Sequence, residues 1–263
     1  MTVPVDGSRE LLLPRAASLM LWAAACHRGD IGPDDAAILA LGARRTGMDA
    51  AGEDLFDWLT SLRRIPLPRL RLLLPRPGRI AGLVGPPAAI TEAISAGQAV
   101  LVAAADLADH TLIPHERVEL GIGPDGEPGP VVRWQRHPAP LGRSVLPADG
   151  TGREHLVHAL RRAASSSLDW DLVPEEPIED VRAPHGWAPA LLPAYLEPTL
   201  VSQLILAART MILVEDELVA GNPQAVTLAE KDLRRDMLED MRDAAVAALI
   251  DSTDRAAAEA MLG

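Results

Sequence analysis

The chain is almost without cysteine, lysine, tyrosine and phenylalanine: among its 263 residues there is one of each, Cys26, Lys231, Tyr195 and Phe56. The lone cysteine excludes an intrachain disulfide and any zinc site built from several thiolates. A reducing cytoplasm is the simplest compartment for such a chain. With one lysine against 24 arginines, the phosphate loop that ends in Lys-Ser/Thr is absent. Aromatic residues amount to 3%, so an arginine-rich surface here lacks the interleaved rings on which single-stranded nucleic acid stacks. Long apolar runs are missing too. The best stretch, Thr199 to Val214, holds Gln203 and Arg209 and falls short of the roughly 20 residues a bilayer span requires.

What is present in quantity is apolar aliphatic residue and arginine. A hydrophobic share of 48% and a mean hydropathy of +0.09 fit a folded soluble protein and argue against disorder. The preference for Ala, Arg, Gly, Pro and Leu is that of a GC-rich genome, so an arginine can mean only that a cation is needed. The segment Leu19-Met20-Leu21-Trp22-Ala23-Ala24-Ala25-Cys26 resembles the end of a lipoprotein signal. Asp6 and Glu10 stand where such a signal wants net positive charge, and Pro14 and Arg15 interrupt its apolar run. A buried helix carrying a small apolar cysteine is the better reading.

Charge is divided unevenly. Residues 1–168 hold 18 acidic and 18 basic side chains, whereas residues 169–263 hold 19 and 7, so the net −12 resides in the last third. Between Trp58 and Thr91 stand six arginines (Arg63, Arg64, Arg69, Arg71, Arg76, Arg79) and no carboxylate. The expectation is that the acidic helical end folds back beside this belt. The net negative charge opposes nonspecific nucleic-acid binding.

The periodicity predicts an α+β protein, mostly helical, with a small central β-sheet and a C-terminal antiparallel helical hairpin. Three regions are expected, packed as one unit: helical residues 1–64, a small α/β region over 65–147, and helical residues 148–263. Helices are expected at Pro14–Arg28 (apolar stripe Leu19, Trp22, Ala23, Cys26), from Pro33 to about Arg45, at Glu53–Arg64, at Pro86–Ala96 and at Thr151–Ser166. Arg79–Val84 and Gln98–Ala104 read as strands. Val118–Ile122 and Val131–Gln135 read as a hairpin around the loop Gly123–Gly129. Residues 173–198 read as an irregular connector. Leu200, Leu204, Ala207, Met211, Val214 and Leu218 form a helix-packing seam, which Val201, Ile205, Ala208 and Ile212 widen. Gly221-Asn222-Pro223 breaks that helix, and Thr227 with Glu230 caps the next. The pair is expected to have a dry inner face and an acidic outer one.

No catalytic or metal motif stands out. The turn Gly78–Pro87, with Arg79, Gly82 and Gly85 and with Arg69 and Arg71 on a neighbouring strand face, is the candidate site for a small anionic ligand. Its spacing matches no nucleotide-binding pattern, and Pro86 and Pro87 lack the N–H groups such a site uses. A tight strand-to-helix connection is the plainer reading. His155 and His158 share a helix face but lack a third metal ligand. His110, His115, His137 and His185 are scattered on expected loops. No catalytic residue, metal or cofactor is assigned.

Leu74-Pro75-Arg76-Pro77-Gly78, Gly82-Leu83-Val84-Gly85-Pro86-Pro87, Ala96-Gly97-Gln98-Ala99-Val100 and Leu112-Ile113-Pro114 together are similar to a recurring pattern in uncharacterised actinobacterial proteins. The resemblance covers about residues 65–250. It implies a tryptophan-containing strand (Val131 to Gln135) and a pair of C-terminal helices, and no activity. With no convergent catalytic set and a split charge, the expected function is a non-enzymatic interaction or regulatory protein with a protein partner. The alternative is a binding protein or enzyme that holds an anionic ligand at Arg79 and Gly82–Pro87.

Overall fold

The computed structural model describes residues 11–41, 46–48, 55–104, 107–119, 129–139, 150–169, 183–220 and 228–262. The elements in chain order are β1 (Leu11–Pro14), α1 (Arg15–Arg28), α2 (Pro33–Leu41), β2 (Thr46–Met48), α3 (Leu55–Arg63), β3 (Arg69–Leu73), α4 (Pro87–Ala96), β4 (Ala99–Ala104), β5 (Leu107–Glu119), β6 (Gly129–Pro138), α5 (Gly152–Asp169), β7 (Trp187–Ala190), α6 (Pro198–Ala220) and α7 (Leu228–Leu262). The fold is α+β.

Five strands form the central sheet in the order β2-β6-β5-β4-β3, with β2 parallel to β6 and the other pairs antiparallel. Strand alternation sends Leu70, Leu72, Val100, Val102, Leu112, Val132 and Trp134 into the main core with α1 and α3. Leu73, Ala99 and Ile113 face the other way, onto Leu83 and α4's Ala89 and Ala93. A separate two-stranded sheet pairs β1 with β7, from Leu11 opposite Ala190 to Pro14 opposite Trp187.

α1 begins after Pro14, where the missing N–H is no loss, and stops at Gly29. Gly29 has φ +92 and donates to the carbonyls of Ala25 and Cys26, both at 3.1 Å. The expected apolar stripe is too narrow a description. Every residue from Arg15 to Cys26 is buried, because α2, α3, α7 and the sheet surround the helix. Even Arg15, 2% exposed, is inside, with its guanidinium 2.7 Å from the Glu116 carboxylate of β5.

Gln98 fixes the start of α1. Its side-chain oxygen accepts from Ala16 N–H at 2.9 Å, and its amide donates to Gly186 O at 2.7 Å. Gln98→Ala is expected to leave a buried first-turn donor unpaired. Each such group costs about 1–3 kcal/mol, so urea denaturation should show a clearly lowered midpoint; an unchanged midpoint refutes the role.

α6 and α7 run antiparallel. Late α6 meets early α7 through Glu217–Arg234 (2.7 Å) and Glu215–Arg242 (3.7 Å). Leu200, Leu204, Ala207, Met211 and Val214 of the expected seam are buried. The second half of α7 supplies Ala245, Ala248, Leu249, Ala256, Ala257 and Ala260 to the main core, which extends from Leu13 to Met261.

Several expectations are corrected. Arg79–Val84 is not a strand: Ala81 (φ +51) and Gly82 (φ +77) are left-handed and turn the chain. Only Arg76 and Arg79 pair there, as an isolated bridge. The expected connector at 173–198 contains β7, and the hairpin strands begin earlier, at Leu107, and end later, at Pro138. His110, His115 and His137 therefore lie on strands. Thr199–Val214 belongs to a longer helix of 23 residues, Pro198–Ala220, which by length and composition alone is long and apolar enough to cross a membrane. The Gly123–Pro128 loop, the end of the second helix at Arg45, the start of the third at Glu53, the break at Gly221–Pro223 and the cap at Thr227 lie outside the described residues.

Candidate functional site

The arginine belt meets the acidic C-terminal helix directly. Arg76 and Arg79, on the two sides of the bridged turn, both pair with Asp243 of α7, Arg79 at 2.5 Å. Arg71 on β3 lies 3.9 Å from Asp254. Arg69 points outward and is exposed. A Cβ placed on Gly82 would meet nothing within 4 Å, and one on Gly85 would lie 3.7 Å from Pro138 O and from Ala89 Cβ. Of the five candidate residues, two are thus committed to α7. The turn serves as the connection into α4, whose first residue is Pro87 and which Gly97 ends.

Sequence reasoning missed the polar row that α7 buries against β3 and α5. Asp251, Ser252, Thr253 and Asp254 are all buried, in a helix surrounded by alanines. Asp254 accepts the Leu72 N–H at 2.8 Å. This donor lies on the open edge of β3, so the carboxylate takes the place of a sixth strand. Asp251 accepts the Gly150 N–H at 2.9 Å, ahead of α5. Burial pushes the Asp254 carboxyl up to about 7; the Leu72 hydrogen bond and Arg71 pull it down, and Asp251 adds to the rise. A run of Asp-Ser-Thr-Asp between alanine-rich segments was the available signal.

On the opposite face of the sheet, Glu92 of α4 receives two histidines. Its Oε2 is 2.7 Å from His137 Nε2 and 3.6 Å from His115 Nε2. His115 and His137 come from neighbouring strands, so only the β5–β6 register brings them to one carboxylate. His110, buried on β5, accepts from Trp58 Nε1 at 3.1 Å and is a core group. His155 and His158 are exposed on α5. Among the described residues no group of three or more His, Cys, Asp or Glu is placed to hold a metal ion. Cys26 is buried, and burial raises its thiol pKa against the opposing effect of Arg63. It is therefore a poor nucleophile.

An open cleft of about 170 Å³ lies between the end of α1, the start of α6 and the end of α7. Arg28, Tyr195, Glu197 and Glu259 line it, and none of the five candidate residues does. It is smaller than the roughly 300 Å³ of an ordinary small-molecule site. The Arg28 guanidinium also lies 5.7 Å above the Tyr195 ring and occupies that surface.

The outer side of α6 carries exposed apolar residues. Leu206 (37% exposed), Leu213 (42%) and Val219 (77%) stand out from it, with Val201, Ile205 and Ile212 half-buried beside them. Of the residues expected to widen the packing seam, only Ala208 is fully buried. The other three turn toward this face because α7 covers one side of α6 alone. Arg209 sits exposed between Leu206 and Leu213 and makes no ion pair with any described residue.

A family model described as "Rv1486c-like protein, N-terminal domain" matches residues 16–151, just over half of the chain. The chain belongs to the Rv1486c-like family. The family match runs from the first turn of α1 to the threonine before α5, and so includes the sheet and the arginine belt but neither α6 nor α7. No curated protein and no solved structure matches the chain.

Proposed function

We propose that this Rv1486c-like protein is a non-enzymatic interaction protein of the cytoplasm that offers the outer face of α6 to another protein. The observation that carries the reading is the exposed apolar pair Leu206 and Leu213, with Ile205 and Ile212 half-buried beside it, on a helix whose other side is packed. Leaving such a patch in water is costly unless it is covered in use. Two further observations support it. Two of the three cations an anionic ligand would use there, Arg79 and Arg71, lie against Asp243 and Asp254 of α7. The one cysteine is unpaired and buried, as suits a reducing compartment.

The test is affinity capture from the native host with two baits, the wild-type chain and the variant Leu206→Glu/Leu213→Glu. The wild type is expected to retain bound protein, copies of its own chain included, that the variant loses. An identical catch overturns the reading. So does a thermal stabilisation of several degrees by a nucleotide or phosphorylated metabolite that Arg79→Ala removes.

A further inference from the structure

The arginine belt divides in two. Arg71, Arg76 and Arg79 turn to carboxylates of α7. Arg63, Arg64 and Arg69 are exposed and make no ion pair with any described residue. They bracket the turn that joins α3 to β3, in a stretch from Trp58 to Thr91 that holds no carboxylate. In the middle of the turn stands Leu67, 61% exposed. Its backbone is left-handed, with φ +48. That conformation is disfavoured for leucine, and again for any residue that precedes a proline, here Pro68. Glycine would adopt it at far less cost, yet a large apolar side chain stands there in water. The turn is held on both sides of this residue. Ile65 and Pro68 are buried. The Arg64 and Ile65 N–H groups donate to the carbonyls of Ser61 and Leu62, both at 3.1 Å. Ile65 O lies 3.0 Å from His27 Nε2 of α1. A Cβ on Gly29 would lie 3.6 Å from Arg63 Nη2, so this cation sits beside the end of α1. Asp30 at that end is paired with Arg28, at 3.4 Å.

We infer that the α3–β3 turn docks onto an anionic phospholipid surface, with Leu67 entering between headgroups and Arg63, Arg64 and Arg69 pairing with lipid phosphates. Charge and shape select this occupant. Three cations without carboxylates fit an anionic partner. One apolar side chain on a tight turn covers far less than the roughly 800 Å² per partner of a stable protein interface. A bilayer needs no matching pocket. Nucleic-acid bases would find no ring to stack on in Arg64-Ile65-Pro66-Leu67-Pro68. The net charge of −12 opposes any anionic surface, but it resides in residues 169–263. At physiological salt it is screened beyond about 8 Å. Binding is therefore weak and salt-sensitive, half-saturated at about 1 mM lipid in about 50 mM salt. The tip shares no residue with the outer face of α6, so neither reading depends on the other.

Co-sedimentation of the purified full chain with vesicles tests this. Vesicles of phosphatidylglycerol and phosphatidylcholine in equal parts should carry the chain down. Phosphatidylcholine alone should not, and about 0.5 M salt should release the chain. Arg64→Ala and Arg69→Ala should each weaken binding about fivefold. Leu67→Gly should weaken it about tenfold, while the thermal midpoint holds or rises because the backbone strain is relieved. A leucine with a merely structural role would lower the midpoint on replacement and leave binding alone. The two arginine variants change exposed side chains and keep the test independent of folding. Equal sedimentation with both kinds of vesicle, or none with either up to about 5 mM lipid, overturns the proposal. So do variants that bind like wild type. Binding to an oligonucleotide or to polyglutamate, without vesicle binding, overturns it in favour of a soluble polyanion. Sedimentation that Leu206→Glu/Leu213→Glu abolishes and Leu67→Gly leaves intact overturns it in favour of the α6 face.

Discussion

Asp254→Asn is expected to remove a pH dependence that the wild-type protein shows between about pH 4 and 7. The folded-state carboxyl of Asp254 is raised from 3.8 to about 7. The folded state therefore favours its protonated form. The stability it allows is fully present at low pH, declines as pH rises from the unfolded value toward 7, and is gone above it. Three pKa units correspond to roughly 4 kcal/mol at about 1.36 kcal/mol each. Asparagine keeps an oxygen for the Leu72 N–H and cannot ionise. The difference in unfolding free energy, variant minus wild type, should become more favourable to the variant by several kcal/mol between pH 4 and 8. Chemical denaturation at both pH values measures it, and parallel curves would show that the buried carboxyl is ordinary. Asp254→Ala is the contrasting case. It leaves the edge N–H of β3 without a partner and should be destabilising at every pH.

The second large effect is expected at Gly152, the first residue of α5. A methyl group there would lie 2.8 Å from Ala248 Cα, 2.9 Å from Ala247 O and 3.0 Å from Ala248 N. Two considerations compete. Alanine is the better helix former by about 1 kcal/mol, and less than that at a helix start. Against it, all three close atoms are backbone, so α5 must move off α7 as a body. Overpacking of this kind costs about 1–3 kcal/mol and sometimes more, so the clash wins. Gly152→Ala should lower the thermal midpoint by several degrees, and Gly152→Val by more. Ala248→Gly should not rescue either, since the obstruction is main chain. A rescue, or an unchanged midpoint, would show that the helices do not approach so closely.

Both effects arise at contacts between residues about 100 or more apart in the chain, and this marks where the sequence was legible. Local signals carried well. Pro14 and Gly29 bracket α1, Pro87 and Gly97 bracket α4, and the four-and-three spacing from Leu200 places the inner face of α6. The charge split foretold that the belt would meet the acidic helix, because opposite charges of such density attract whatever the topology. It did not say which acid. That acid is Asp243, which holds both Arg76 and Arg79. Strands β1 and β7, four residues each and more than 170 apart in the chain, leave no periodic trace. The Glu92–His137–His115 cluster exists only through strand register and helix placement. At Arg79–Val84 an apolar run looked like a strand, but the left-handed backbone at Ala81 and Gly82 outweighed it. The α6 face was misjudged for a related reason. Its aliphatic residues have helical spacing, but spacing cannot reveal that only one side of the helix finds a neighbour.

α1 owes its dryness partly to α7, which is made well after it. Ala256, Ala257 and Ala260 are in the same core as Leu19 and Ala23. While the ribosome is still adding those residues, the nascent sheet has an open β3 border and α1 has an uncovered flank. The packing of α1 must therefore wait until α7 has been made, and deletion of residues 252–262 would leave α1 wet along that flank.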